Sequence, residues 1–358
     1  FGSRHFGSFR CSCGFRPGPP AMSSGEHYFE NGMAVDAVAG SAEALREVLD
    51  GCHGRCVRIF VAGAVTHVGK TTVCLSLLAA LRRCGLTAAE LAYIKPATQC
   101  EAPDLLEKWC ADEGVEHVAG EKAPLVFYQG FTRSFLDGQQ GTSADWMAKI
   151  AKRVDELAEN RRVLVVDGVG FPAVGSIVGV DNADVARACR APVLLVCKSG
   201  VGGAVDSFSL NSSYFLAKGV PVLGGVFNFG DIDGFNSHDF CREYINKWFA
   251  AEPRRHRSYG VIPVTPELDG LREKISEASP ETLGKMAALN ASHFAKHADV
   301  AAMLADAAAD AWNRAAAAGA AGKQPAKPVA AAPGGSFKPK AREQVAQMAK
   351  TLGAKGGG

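Results

Sequence analysis

Apolar residues fall into short unbroken runs separated by longer stretches with a helical period. Val57-Arg58-Ile59-Phe60-Val61-Ala62 and Val163-Leu164-Val165-Val166 are the clearest runs. The pattern predicts strands over 57–62, 90–95, 162–167, 192–197, 221–227 and 259–262. Between them it predicts helices over 70–83, 103–112, 143–159, 181–190, 203–218 and 237–250. Strands rich in Val, Leu and Ile without polar alternation belong to a sheet covered on both faces. Alternating strand and helix units then give an α/β fold with a doubly wound, mostly parallel sheet. Ligands of such sheets sit at the carboxyl ends of the strands.

The ends of the chain read differently. Residues 1–55 form an N-terminal extension, disordered over 1–32 and amphipathic-helical over 36–50. A central domain spans 56–270, a helical extension covers 271–320, with helix over 280–318, and a basic low-complexity tail runs over 321–358. From Lys323 onward the tail holds seven Lys or Arg and one Glu, a composition that stays solvated or touches an acidic partner.

Bulk properties exclude several classes. The formal net charge of the 358 residues is +2, which suggests neither nucleic-acid nor membrane binding. No apolar run is long enough to cross a membrane. The 11 cysteines are scattered without a Cys-x-x-Cys pair, as in a reducing compartment. The first 25 residues carry Arg4, Arg10 and Arg16 and no acid, and the chain begins with Phe1. This reads either as an organelle transit segment or as sequence upstream of initiation at Met22. The expected location is cytoplasm or the matrix of a mitochondrion or plastid, without secretion.

The strongest local signal begins where the first strand ends. Gly63-Ala64-Val65-Thr66-His67-Val68-Gly69-Lys70-Thr71-Thr72 joins that strand to a helix whose apolar face holds Val73, Leu77, Leu78 and Leu81. This is the layout of a phosphate-binding loop. Loop N–H groups and the helix N-terminus hold phosphate oxygens, Lys70 neutralises their charge, and the Thr71 hydroxyl holds Mg²⁺. Within the loop His67 serves phosphate through its N–H, with its side chain in solvent. The acid ending Val163-Leu164-Val165-Val166-Asp167 is placed to hold Mg²⁺, and a turn cap is its bland alternative. His293 and His297 share a helical face, but no pattern completes a metal site, and neither is given a role.

Five residues, rather than four, separate Gly63 from Gly69. With Thr66, that spacing resembles the dethiobiotin synthetase-like branch of phosphate-loop (P-loop) ATPases. The likeness runs over roughly 56–265 through Tyr93-Ile94-Lys95-Pro96, Asp167-Gly168-Val169-Gly170, Asn228 and Tyr259-Gly260-Val261-Ile262-Pro263. The resemblance implies ATP and Mg²⁺ as cofactors, Lys70 and Lys95 as catalytic cations, and Thr71, Asp104 and Asp167 as metal ligands. It implies nucleotide contacts from Gly63, Thr66, His67, Val68, Gly69, Lys70, Thr71 and Thr72, with Asn228, Ile262 and Pro263 at the base. Asp104 also reads as a helix-start acid. The implied reaction carboxylates a diamine, phosphorylates the carbamate and closes a ureido ring in a homodimer acting on a small molecule.

Several positions depart from that family, among them Asp167, an acid one methylene shorter than the family's glutamate. Gln99 and Cys100 stand where it has Ser-Gly, and Phe171 replaces a glycine. A nucleotide-binding module with a partner-switching role, or a related ligase on another substrate, is therefore the alternative. A positioning ATPase with an early loop lysine ranks last, since Val65 occupies that lysine's place.

Overall fold

A computed structural model describes residues 33–99, 104–254, 256–266 and 279–318. The first 32 residues and the tail beyond 318 lie outside the described residues, as do Cys100 and the segment 267–278. The strands are β1 (Val57–Gly63), β2 (Leu91–Ile94), β3 (Ala97–Thr98), β4 (Glu116–Val118), β5 (Leu125–Val126), β6 (Val163–Asp167), β7 (Val193–Lys198), β8 (Val222–Gly230) and β9 (Arg257–Pro263). The helices are α1 (Met33–Asp50), α2 (Lys70–Arg83), α3 (Leu105–Glu113), α4 (Phe131–Leu136), α5 (Ser143–Ala158), α6 (Asn182–Cys189), α7 (Gly202–Ala217), α8 (His238–Ala251), α9 (Pro280–His297), α10 (Val300–Ala309) and α11 (Ala311–Ala318).

Seven strands form one sheet in the order β4-β2-β6-β1-β7-β8-β9, with every pair parallel. Successive strand residues feed opposite faces. Ile59, Val61, Val165, Leu194 and Val196 pack with α1, α2, α3, α9 and α10. Phe60, Ala62, Leu164, Val166 and Leu195 pack with the helices of the other face, α5 to α8. With both faces covered, a period of two leaves no polar trace in the sequence. The expected doubly wound sheet is therefore present.

Two differences from the sequence pattern have local causes. The edge strand β4 carries Glu116 and His117, whose polarity hides it, because an edge can leave side chains in water. The stretch expected as helix over 280–318 is three helices. Ala298 is extended, Asp299 accepts from Ala302 N–H at 2.9 Å, and Asp310 accepts from Trp312 N–H at 2.8 Å, so each aspartate starts a new helix. The helix expected over 36–50 is present as α1, whose Leu45 and Leu49 are buried in the central core.

The C-terminal helices are bound to the same core. Met303 and Leu304 on α10 are fully buried, and Asn313 on α11 clamps the start of β1. Its Oδ1 accepts from the Arg58 N–H at 3.0 Å, while Nδ2 donates to the carbonyls of Arg58 at 2.9 Å and Ala307 at 2.8 Å. No described helix is long and apolar enough to cross a membrane.

Candidate functional site

The loop between β1 and α2 is shaped by contacts that tolerate few side chains. A Cβ on Gly63 would lie 2.9 Å from the Val65 carbonyl oxygen and 3.1 Å from that of Gly170. Gly69 has φ +82°, the left-handed region where glycine carries no steric cost. His67 also has positive φ, at 57°. Val68 is buried, whereas Val65, Thr66 and His67 are exposed. The Thr66 and His67 side chains thus lie open to solvent at the mouth of the loop. Helix α2 opens on Gly69 with no side-chain cap and no acid in its first turn. Its first N–H groups are the orphan donors that a phosphate oxygen satisfies.

Beside this loop stands Asp167. Parallel pairing of β1 with β6 sets Val61 opposite Asp167, so both strands release their functional residues at the same edge. The Asp167 side chain is fully buried and gathers four partners. Lys70 Nζ lies 2.9 Å from Oδ1. Thr71 Oγ1 donates to Oδ2 at 3.0 Å, and Tyr93 OH donates to the same oxygen at 3.1 Å. Lys95 Nζ is 4.0 Å away. Burial pushes the Asp167 carboxyl up, but Lys70 and Lys95, with hydrogen bonds from Lys70 and Thr71, hold it below its ordinary value. It therefore stays ionised at neutral pH.

Lys95 follows β2, the other neighbour of β6. Its ammonium reaches Asp104 Oδ2 at 3.3 Å. Burial lowers the Lys95 pKa, yet Asp167 and Asp104 together raise it above the ordinary lysine value. Asp104 takes the expected helix-start role and pairs with Lys95. Oδ1 accepts from the Leu106 and Glu107 N–H groups, each at 3.0 Å, capping α3, while Oδ2 faces Lys95.

Lys70, Thr71, Lys95, Asp104 and Asp167 thus converge in one patch, as expected. Asn228, Ile262 and Pro263 line a separate crevice beside α2. The Asn228 amide also ties the crevice to the loop. Its Nδ2 donates to the Val68 carbonyl at 3.1 Å, and its Oδ1 accepts from the Phe229 N–H at 3.0 Å. Thr72 lines the same crevice.

Two residues escaped the sequence reading. Tyr93 is fully buried, and burial beside Asp167 pushes its phenol well up, so it stays a protonated donor. The only hint was a tyrosine inside an otherwise apolar strand, two residues before Lys95. Asn182 accepts from the Val169 N–H at 2.9 Å and donates to the Val169 and Phe171 carbonyls at 2.7 Å, fixing the loop after Asp167. In the sequence it is marked only as lying at the start of the helix expected over 181–190.

Oxygen donors dominate the patch, which suits a hard cation. Mg²⁺ takes few protein ligands and completes its shell with water and phosphate. Thr71 Oγ1 and an Asp167 carboxylate that stays charged are such a set. No cluster of three or more His, Cys, Asp or Glu forms a metal cage among the described residues, and Mg²⁺ bound with a nucleotide needs none.

The comparisons agree with this geometry. The family model AAA_26, described as an AAA domain, matches residues 57–271. The ATP-dependent dethiobiotin synthetase BioD of Anaeromyxobacter dehalogenans is 27% identical over 170 residues, covering 48% of this chain and 75% of that one. The protein of the same name from Frankia casuarinae is 30% identical over 179 residues, covering 47% and 69%. That from Lysinibacillus sphaericus is 27% identical over 193 residues, covering 50% and 78%. With the phosphate loop, Asp167 and Lys95 assembled at one edge of a parallel sheet, the chain belongs to the dethiobiotin synthetase-like P-loop ATPases of the AAA_26 family.

Proposed function

We propose that this protein is a Mg-ATP-dependent ligase that phosphorylates a carbamate formed on a diamine and closes a ureido ring. One observation carries the reading. A single buried carboxylate, Asp167, is shared by the loop lysine Lys70, the loop hydroxyl Thr71 and the strand-end lysine Lys95. That arrangement suits phosphoryl transfer, which depends on positioning and on neutralising charge spread over phosphate oxygens.

Each side chain has a definable task. Lys70 leaves Asp167 to meet phosphate oxygens at the mouth of α2. Lys95, held charged by Asp104, stabilises the carbamate and the moving phosphoryl group from the opposite side. Thr71 and Asp167 would hold Mg²⁺, which supplies further positive charge to the phosphates when bound. The names of the relatives, all ATP-dependent dethiobiotin synthetases, support ATP as the nucleotide.

A related ligase on a different substrate is the second reading. Gln99 is exposed beside Lys95, and Phe171 is 44% exposed on the loop after Asp167. Both stand where the family has small residues, which favours a substrate of altered shape. Homodimerisation is part of either reading. A partner protomer would have exposed apolar side chains to cover, such as Leu210 on α7, 74% exposed, and Ile177 on the loop before α6, 65% exposed.

The experiment mixes the full chain with ATP, Mg²⁺, bicarbonate and 7,8-diaminopelargonic acid and follows ADP release and ring closure. Release that requires the diamine supports the first reading. ATP binding without diamine-stimulated turnover refutes it and turns the search to other diamines.

A further inference from the structure

The crevice beside α2 has a wall that the matched family segment does not supply. Residues 57–271 match the family model, and α9 begins at Pro280. Yet Asn290 and His293 on α9 face Thr72, Ser76, Asn228 and Pro263 across the crevice. Asn290 is 7% exposed, an unfavourable place for an amide unless its polar atoms are used. Its Nδ2 donates to the Met286 carbonyl, one turn back, at 2.9 Å. That bond fixes which way the amide is turned, because the reverse orientation would set two acceptors against each other. Oδ1 is left as the acceptor available to the crevice, beside the second Nδ2 hydrogen, and no donor among the described residues meets it.

The neighbouring contacts hold this wall in place. His293 Nε2 lies 2.9 Å from the Pro263 carbonyl, which can only accept, so the ring carries its proton on Nε2. His293 thereby fixes the Ile262-Pro263 segment against α9. Across the crevice, the Asn228 amide uses one Nδ2 hydrogen on the Val68 carbonyl and accepts the Phe229 N–H at Oδ1, and so keeps its second N–H and a lone pair for a ligand.

We propose that Asn290 is a specificity-determining residue for the nucleotide: its Oδ1 accepts a hydrogen bond from the six-position amine of adenine. A six-position carbonyl, as in hypoxanthine or guanine, would set acceptor against acceptor. This rests on the proposed use of a nucleoside triphosphate at the α2 loop, and it assigns base choice to a helix outside the family segment.

Calorimetry on the full chain with Mg²⁺ tests it with three ligands: ATP, inosine triphosphate and the triphosphate of purine riboside, which lacks the amine. The expected result is ATP binding on the order of tenfold tighter than either analogue, the effect of one buried hydrogen bond or one unpaired acceptor. In Asn290→Leu the three affinities should converge to within about threefold, through loss of ATP affinity. The analogue series on the unaltered protein stands even if that variant folds poorly. ATP and purine riboside triphosphate binding equally well, tighter inosine triphosphate binding, or an unchanged ratio in Asn290→Leu would overturn the assignment while leaving nucleotide use intact. Failure of all three triphosphates to bind would overturn the nucleotide reading itself, and this inference with it.

Discussion

Removing either member of the Lys70–Asp167 pair should have unequal consequences, because only one of them has other partners. In Asp167→Asn, Lys70 keeps a side chain only 12% exposed and has no second carboxylate within salt-bridge distance among the described residues. A buried charge left without its partner costs about 3–5 kcal/mol. In Lys70→Met, Asp167 still receives the Thr71 and Tyr93 hydroxyls and the field of Lys95. Only one charge-assisted hydrogen bond is lost, worth about 1.5–3 kcal/mol. The double variant removes both charges and should cost less than the sum, with a coupling of about 1–3 kcal/mol. Denaturant unfolding followed by circular dichroism, without nucleotide, measures all three. Lys70→Met destabilising as much as Asp167→Asn, or a strictly additive double variant, would show that Thr71, Tyr93 and Lys95 do not hold the carboxylate.

Other predictions concern the same framework. Asp167 has a folded-state pKa below its ordinary value, so its stabilising effect is present above about pH 4 and fades as pH falls through the depressed value. The stability gap between the protein and Asp167→Asn should therefore hold steady from pH 7 to pH 5 and close only in stronger acid; closure above pH 5 contradicts the assignment. Gly69→Ala would place a Cβ 2.3 Å from Asn228 Nδ2 at a φ of +82°. It should cost about 2 kcal/mol and weaken ATP binding more than tenfold by titration. Asn313→Ala should cost about 3 kcal/mol in unfolding experiments, since it strands the Arg58 N–H and C=O in a buried site. Its nucleotide affinity should be unchanged, because Arg58 lies at the opposite end of β1 from the loop.

What the sequence settled by itself was local. The run Val57–Ala62 and the Gly-Lys-Thr that follows it fix a strand, a turn and a helix in one continuous stretch, and α2 begins and ends where its pattern says. Val163–Asp167 announced a covered strand ending in an acid for the same reason. The identities of Lys70, Thr71, Lys95, Asp104 and Asp167 were thus legible, since each sits on a short motif with its own chemistry. Their convergence was expected from the family resemblance alone, not from the pattern of the chain. It depends on β6 lying between β1 and β2 in a register that sets Val61 against Asp167, and strand order leaves no periodic mark on the chain. Tyr93 meets Asp167 across 74 residues, His293 meets Pro263 across 30, and Asn313 meets Arg58 across 255. Each is an ordinary polar residue until folding supplies its partner. Hydrogen-bond chemistry is written in residue types, but the pairing that gives it a role is decided by packing between segments far apart in the chain.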